Sequence, residues 1–251
     1  MISLLKERGN HDMNMKTIKA EAGMFVPNRR VSPGTRWKVS DYSPCLSCHV
    51  WVLQKYLWKH HPKCPALQTN KDNISKQIYQ LPTIGERELA LESDILAGRV
   101  SCLADDKLIN EVLKNMRNDY ITKVARADPL ICYLGNLSMK RNIGNKAMRR
   151  YAVSSVMRLA ARCLMELREL QLTEEGQKHL TWYQALVPEQ YENMVRAVFR
   201  VCRESFIEGL EELGEDVDED DLEAPSNAIK LSYDIARMCS IKVTMAIDLP
   251  D

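Results

Sequence analysis

The sequence lacks long hydrophobic runs, and that absence argues against two classes of protein. No apolar stretch among the 251 residues approaches the length of a membrane span. The N-terminus has no extended apolar region, so we expect no secretory signal peptide. Glycine and proline number only ten each and hydrophobic residues make up 45%, which is typical of a soluble, mostly helical protein. We also find no internal repeat and no sustained coiled-coil heptad.

The net charge of the chain is only +1, but its charges are unevenly distributed, and two segments have few or no residues of one sign. Residues 1–64 contain eleven Lys or Arg and four Asp or Glu, a balance of +7. Residues 208–223 contain ten acidic residues and no basic one. A basic N-terminal segment favours a polyanionic partner such as nucleic acid. We interpret the acidic stretch as a solvated loop.

Five of the eight cysteines stand singly on apolar helical stripes, which predicts buried, reduced thiols. Disulfides are rare in the cytosol and the nucleus, so we expect one of those compartments. These five cysteines are Cys102, Cys132, Cys163, Cys202 and Cys239.

The other three cysteines and one histidine form the constellation Cys-x2-Cys-x11-His-x3-Cys, made by Cys45, Cys48, His60 and Cys64. A Cys-x2-Cys turn brings two thiolates to one face of a tight knuckle, and residues at i and i+4 share one face of a helix. Three sulfurs and one imidazole complete a tetrahedral zinc shell with no open position. The spacing therefore predicts a structural zinc finger rather than a catalytic metal centre.

His61 is an alternative third ligand. It would leave only two residues before Cys64, which places the last two ligands on diverging helix faces, so His60 is favoured. Pro62 interrupts the helix there, and we expect the last turn before Cys64 to be distorted. Val52 and Leu57 occupy the positions at which small fingers carry their apolar packing residues.

The order of these features predicts a mainly α protein, with a small zinc finger followed by an all-α helical bundle. Residues 1–44 are expected to be a basic, irregular leader, and residues 45–64 the finger. A connector follows over residues 65–103. The helical domain would span residues 104–251 and contain the acidic loop 208–223.

Helical periodicity is strong throughout the predicted domain. Asp105 and Asp106 suit a helix start, and Asp128 followed by Pro129 forms a helix-capping pair. The longest predicted helix runs over about residues 146–170, and its arginines lie largely off the apolar stripe, which predicts solvated faces. Further helices are expected from about Pro188 and from Pro225.

Several segments resemble a family of animal proteins with a Cys-Cys-His-Cys finger, some of which continue into a region similar to tyrosine recombinases of mobile elements. The finger segments that carry this resemblance are Asp41-Tyr42-Ser43-Pro44-Cys45 and Leu57-Trp58-Lys59-His60 with Cys64. The other segments are Arg8-Gly9-Asn10-His11, Pro27-Asn28-Arg29-Arg30, Asp119 to Ile131 and Pro225 to Leu231. Ser232-Tyr233 departs from the family pattern. The resemblance implies His60 as the ligand and a mobile-element origin.

A catalytic role is disfavoured by the sequence. Tyrosine recombinases need a His-x-x-Arg pair to stabilise the charge of their transition state, and none of the five histidines begins that motif. His11 and Asp12 are sequence neighbours whose side chains diverge, and no second cluster completes a site with them. We therefore expect neither an enzyme nor a small-molecule substrate.

The sequence thus favours a zinc-dependent DNA-binding module in the nucleus. The alternative is a protein–protein interaction protein with a structural finger, in which the helical domain offers grooves to partner proteins. Trp51, Tyr56 and Trp58 could stack on bases, but a core role is favoured. Basic side chains near the finger would contact phosphates. They are Arg29, Arg30, Arg36, Lys38, Lys55, Lys59 and Lys63.

Overall fold

The computed structural model describes residues 2–20, 23–28, 38–67, 85–141, 144, 146–171, 180–213 and 225–248. Within these residues the protein is mainly α, with ten helices and one two-stranded sheet, as the sequence predicts. Its contacts divide the chain into two compact units, Met1–Val100 and Ser101–Asp251.

The first unit combines three α-helices with the small sheet. The two strands of the sheet are antiparallel, and Tyr42 pairs with Leu53, Ser43 with Val52 and Pro44 with Trp51. The elements of this unit are helix α1 (Ile2–Ala20), strand β1 (Tyr42–Pro44), strand β2 (Trp51–Leu53), helix α2 (Gln54–His60) and helix α3 (Glu86–Leu96).

Helix α1 corrects the expectation that residues 1–44 are irregular. It is held by polar side chains rather than by an apolar stripe. The fully buried Asn14 donates to the carbonyl of Val26 (2.9 Å) and accepts from the Val26 amide (2.7 Å). The amide side chain thereby satisfies both backbone polar groups of Val26. Met15 and Ile18 pack on a core of Tyr42, Trp51 and Ala97.

Helix α3 lies in the segment expected to be a connector, of which residues 68–84 fall outside the described residues. The helix ends in a Schellman motif. Gly98 adopts a left-handed conformation (φ 66°) and donates to the carbonyl of Ile95, while the amide of Arg99 donates to Asp94. The finger is therefore part of a larger unit, whose boundary at Val100 lies close to the predicted start of the helical domain.

The second unit is a helical bundle. Its elements are α4 (Asp106–Glu111), α5 (Tyr120–Ala127), α6 (Pro129–Arg141), α7 (Lys146–Gln171), α8 (Trp182–Ala185), α9 (Tyr191–Leu213) and α10 (Pro225–Asp248). The long helix α7 lies at its centre and packs against α5, α6, α9 and α10. The bounds of α7, α9 and α10 agree closely with the predicted helices, whereas the short helix α8 was not predicted.

The predicted helix starts are confirmed by their hydrogen bonds. Asp105 accepts from the amide of Leu108 (2.7 Å), so it is an N-cap that satisfies a free amide of the first turn of α4. Asp128 accepts from the amides of Leu130 (3.0 Å) and Ile131 (3.1 Å) at the start of α6.

Two other expectations about the helical domain are corrected. Helix α9 extends to Leu213, so residues 208–213 are helical rather than loop, while residues 214–223 lie outside the described residues. The arginines of α7 were expected on solvated faces, but several bind neighbouring elements. Arg149 pairs with Glu111 (2.7 Å), Arg158 pairs with Asp119 (2.8 Å), and Arg168 donates to the carbonyl of Leu180 (2.8 Å).

Among the described helices, none has both the length and the apolar character that a bilayer crossing requires.

Candidate metal centre

The two N-terminal cysteines lie in the turn that joins β1 to β2. The amide of Cys45 donates to the carbonyl of Val50, and the amide of His49 donates to the carbonyl of Cys45, both at 2.9 Å. His49 closes the turn in the left-handed region, with φ 61°, a conformation that costs a non-glycine residue roughly 1–2 kcal/mol. The knuckle therefore has a tight backbone that brings Cys48 back towards Cys45.

The other two residues lie where α2 ends. His60 is the last residue of α2, and residues His61–Lys63 form a 3-10 turn with Pro62 near its start. The amide of Cys64 donates to the carbonyl of His61 (3.2 Å), and Cys64 itself is extended. The predicted distortion before Cys64 is confirmed, since the proline tightens the last turn.

The donor atoms of Cys45, Cys48, His60 and Cys64 all lie within 4.8 Å of one another. Cys48 Sγ lies 3.3 Å from His60 Nε2. Donors that share one tetrahedral zinc ion lie about 3.5–4 Å apart, given Zn–S near 2.3 Å and Zn–N near 2.0 Å. The four side chains therefore form a group that could hold one metal ion.

His61 is not a member of this group. Its Nδ1 lies 4.0 Å from Cys45 Sγ, at the edge of the range for a weak hydrogen bond to sulfur. The structure thus brings together the four residues of the favoured spacing and leaves His61 beside them. The sequence argument from helix faces gives the same order of preference.

Burial and proton sharing make the sulfurs of this group suited to a cation. Cys45 and Cys64 are fully buried, and Cys48 is nearly so. The Cys48 thiol donates a hydrogen bond to the sulfur of Cys45, and this contact lowers the pKa of Cys45 and raises the pKa of Cys48. Burial opposes a second negative charge. A bound divalent cation would replace the remaining protons and stabilise all three thiolates.

An apolar shell surrounds the cysteines. Val52 and Leu57 lie in one buried cluster with the three cysteines, as the sequence predicts, and Leu89 of α3 joins them. Ser93, also on α3, donates to the carbonyl of Pro44 (2.6 Å), so this helix is fixed to the strand that leads into the knuckle. A shell of this kind excludes water and keeps the sulfurs in a low-dielectric environment.

A second group of side chains supports the knuckle from α1. The indole N–H of the buried Trp51 donates to Nδ1 of His11 (3.0 Å), and the ring of His11 lies 5.3 Å from that of His49. Burial, followed by the charge of His49, lowers the pKa of His11, which favours the neutral ring that can accept this hydrogen bond. His11 therefore has a structural partner, and the structure does not bring it together with the four candidate ligands.

Arg99 also supports the sheet. Its guanidinium donates to Ser43 Oγ and to the carbonyl of Val39, both at 3.2 Å, and lies 5.6 Å from the Trp51 ring. Sequence reasoning missed Leu89, Ser93 and Arg99, because none belongs to a spaced motif, and it considered His11 without finding its structural role. The one local signal was Gly98, which marks the end of α3 and directs the chain towards Arg99.

The three aromatic residues near the site have different environments. Trp51 is 1% exposed and belongs to the core, as expected, whereas Tyr56 is 47% and Trp58 is 48% exposed. The core prediction is therefore wrong for Tyr56 and Trp58. Successive residues of a helix differ by about 100° in direction, so Leu57 faces the cysteines while both neighbours face outwards.

The predicted phosphate-contacting residues fall into two sets. Lys38, Lys55, Lys59 and Lys63 are exposed. Lys55 and Lys59 lie on α2, and Lys63 lies on the 3-10 turn after it. The remaining three lie outside the described residues. They are Arg29, Arg30 and Arg36.

Comparison of the chain with protein families, curated proteins and solved structures found no match. The resemblance of the finger segments to a known family therefore stays a prediction.

Proposed function

We propose that the protein is a zinc-dependent DNA-binding module, in which Cys45, Cys48, His60 and Cys64 hold a structural zinc ion. The observation that carries the proposal is the convergence of these four donors within 4.8 Å in a buried cluster. A donor set of three sulfurs and one imidazole is typical of structural zinc. Such an ion would join the knuckle to α2, two elements that share only a small apolar core.

Binding to DNA is supported by the charge around this centre. Lys55, Lys59 and Lys63 are exposed on one short segment, within the part of the chain that carries a balance of +7. Lysines at the surface of a rigid, metal-stabilised element would contact phosphates and release counterions. The affinity would then be electrostatic and independent of sequence, because phosphate contacts carry no base information.

A salt titration of full-length, zinc-loaded protein with a DNA duplex tests the proposal. We expect binding that weakens as salt rises, with the slope of log K against log salt reduced by about 0.9 for each lost phosphate contact. The test variant is Lys55→Gln/Lys59→Gln/Lys63→Gln. The control is Lys107→Gln/Lys140→Gln/Lys146→Gln, which removes the same charge from exposed positions of the second unit.

The two triple variants separate a local surface from a general charge effect. The proposal predicts that only the α2 variant lowers both the affinity and the salt slope, and that chelation of the metal abolishes binding by the wild type. Equal losses in both variants would contradict a binding surface at α2. Negligible binding at low salt would contradict DNA binding altogether.

A further inference from the structure

The outer face of α2 combines two exposed aromatic rings with two lysines. Lys55, Tyr56, Trp58 and Lys59 cover about half of the helix circumference, opposite the buried Leu57. The ammonium of Lys59 lies 5.1 Å from the centroid of the Trp58 ring and 5.8 Å from that of Tyr56. The four side chains therefore form one continuous surface, which we call the aromatic–basic face.

The outward side of this seven-residue helix presents two large rings to solvent. A buried Trp or Tyr contributes substantial apolar area to a fold, and these two rings are about half exposed instead. The ammonium groups near the ring faces add positive charge to the same surface. The face therefore suits a ligand that offers flat rings and negative charge together.

We propose that the aromatic–basic face binds single-stranded DNA, with Tyr56 and Trp58 stacking on unpaired bases and the lysines contacting phosphates. The inference rests on the proposed DNA-binding function and specifies the form of its ligand. Base–aromatic stacking requires an accessible base face, and in a duplex those faces are covered by neighbouring base pairs. Only an unpaired strand offers bases and phosphates together to such a surface.

The composition of α2 disfavours sequence-specific recognition of base edges in a groove of duplex DNA. Recognition in the major groove uses hydrogen-bonding side chains that reach base edges, chiefly Arg, Lys, Asn and Gln. The aromatic–basic face contains no Arg, Asn or Gln, and the ammonium groups of its two lysines lie near the aromatic rings. Gln54, at the start of α2, donates to the carbonyl of Ser40 (3.1 Å), so its side chain makes a structural contact within the first unit.

A membrane surface is also disfavoured as the partner. Helices that lie in the lipid interface insert a wide aliphatic face between the headgroups. The one aliphatic residue of α2, Leu57, is buried against the cysteines. Seven residues span only about 10 Å, which is too short for such an insertion.

Binding of the full-length, zinc-loaded protein to an oligothymidine strand and to a duplex of equal length tests the inference. We expect tighter binding of the single strand. Trp58→Leu and Tyr56→Leu should each weaken single-strand binding by about 5-fold or more, and duplex binding by less than about 2-fold. Trp58→Phe retains a ring face and should restore most of the loss. Tyr191→Leu, at an exposed position of α9, is the control and should change neither.

Measurements of zinc content and of the salt slope distinguish failure of this inference from failure of the proposed function. The ring variants should retain their zinc and an unchanged salt slope, because the rings lie outside the buried cluster and carry no charge. If the wild type binds both forms of DNA with a salt dependence but equally well, the inference fails and the proposed function stands. If neither form binds, both fail. Binding to anionic phosphatidylserine vesicles that depends equally on Trp58 would also overturn the inference.

Discussion

Single aspartates join pairs of helices in the second unit. Asp128 caps α6 with one carboxylate oxygen and accepts from the amide of Trp182 (2.8 Å) with the other. Asp119 caps α5 by accepting from the amide of Thr122 (2.9 Å) and pairs with Arg158 of α7. Each carboxylate thus accepts hydrogen bonds both from an amide at a helix start and from a second element. A neutral side chain would form weaker hydrogen bonds with these donors.

Replacement of Asp119 should destabilise the second unit in a pH-dependent way. Burial alone would raise the pKa of Asp119, but hydrogen bonds from Arg158 and Thr122 outweigh it and lower the pKa to about 2. The folded pKa lies below the unfolded one, so the ionised group stabilises the fold above about pH 4 and loses this effect as pH falls towards 2. With allowance for solvent screening, we expect Asp119→Asn to cost about 1–2 kcal/mol at pH 7.

Denaturant unfolding at pH 7 and pH 2.5, followed by the indole N–H resonance of Trp182, measures this effect. The cost of Asp119→Asn should shrink at the lower pH. Asp106→Asn, an exposed substitution in the first turn of α4, should cost less than about 0.5 kcal/mol at both. A penalty that is equal at the two pH values would show that the ion pair with Arg158 contributes nothing.

The candidate ligands could be predicted from the sequence because their chemistry specifies both residue type and spacing. Cys45, Cys48, His60 and Cys64 are recognisable without any knowledge of the surrounding fold. The environment of Tyr56 and Trp58 could not be predicted in this way. Whether an aromatic residue beside a finger faces inwards depends on which residue of α2 faces the cysteines, and Leu57 takes that position.

At the scale of whole elements, the helices that bury apolar stripes were predictable and α1 was not. Helices α6 and α10 begin at the predicted prolines, Pro129 and Pro225, and α7 follows a long apolar stripe. The inward residues of α1 include His11 and Asn14, both polar and both buried. Their partners, Trp51 and Val26, come from later in the chain, so the local sequence of α1 has no apolar pattern to indicate a buried face.

Asn14→Ala tests whether these polar contacts hold α1 in place. The substitution leaves the amide and the carbonyl of Val26 without their protein partner, and Val26 is only partly accessible to water. We expect the free energy of unfolding of the first unit to fall by about 1–3 kcal/mol, as measured by hydrogen exchange of the Trp51 indole. Asn10→Ala is the matched control on the same helix, since Asn10 makes one long contact to Glu7 (3.4 Å). Equal effects of the two substitutions would contradict this role for Asn14.

At the scale of the whole molecule, the two units differ in what stabilises them. The helical bundle buries long apolar stripes around α7, with large side chains such as Met157, Leu164 and Leu167 fully buried. The buried cores of the first unit contain few large apolar side chains, and three of the buried residues are cysteines. Small cores of this kind usually need a metal or disulfides for stability. A zinc ion would supply that cross-link, and the basic surface beside it would supply the contact with DNA.

Elemental analysis of the full-length chain, after equilibration with zinc and removal of the excess, tests this account most directly. We predict one zinc ion per chain in the wild type, loss of that zinc in Cys48→Ser, and full retention in Cys239→Ser. Cys239 lies outside the cluster and, like Cys102, is exposed, so the sequence prediction of a buried thiol is wrong for these two cysteines. A wild-type chain without zinc, or a Cys48→Ser variant with undiminished zinc, would contradict it.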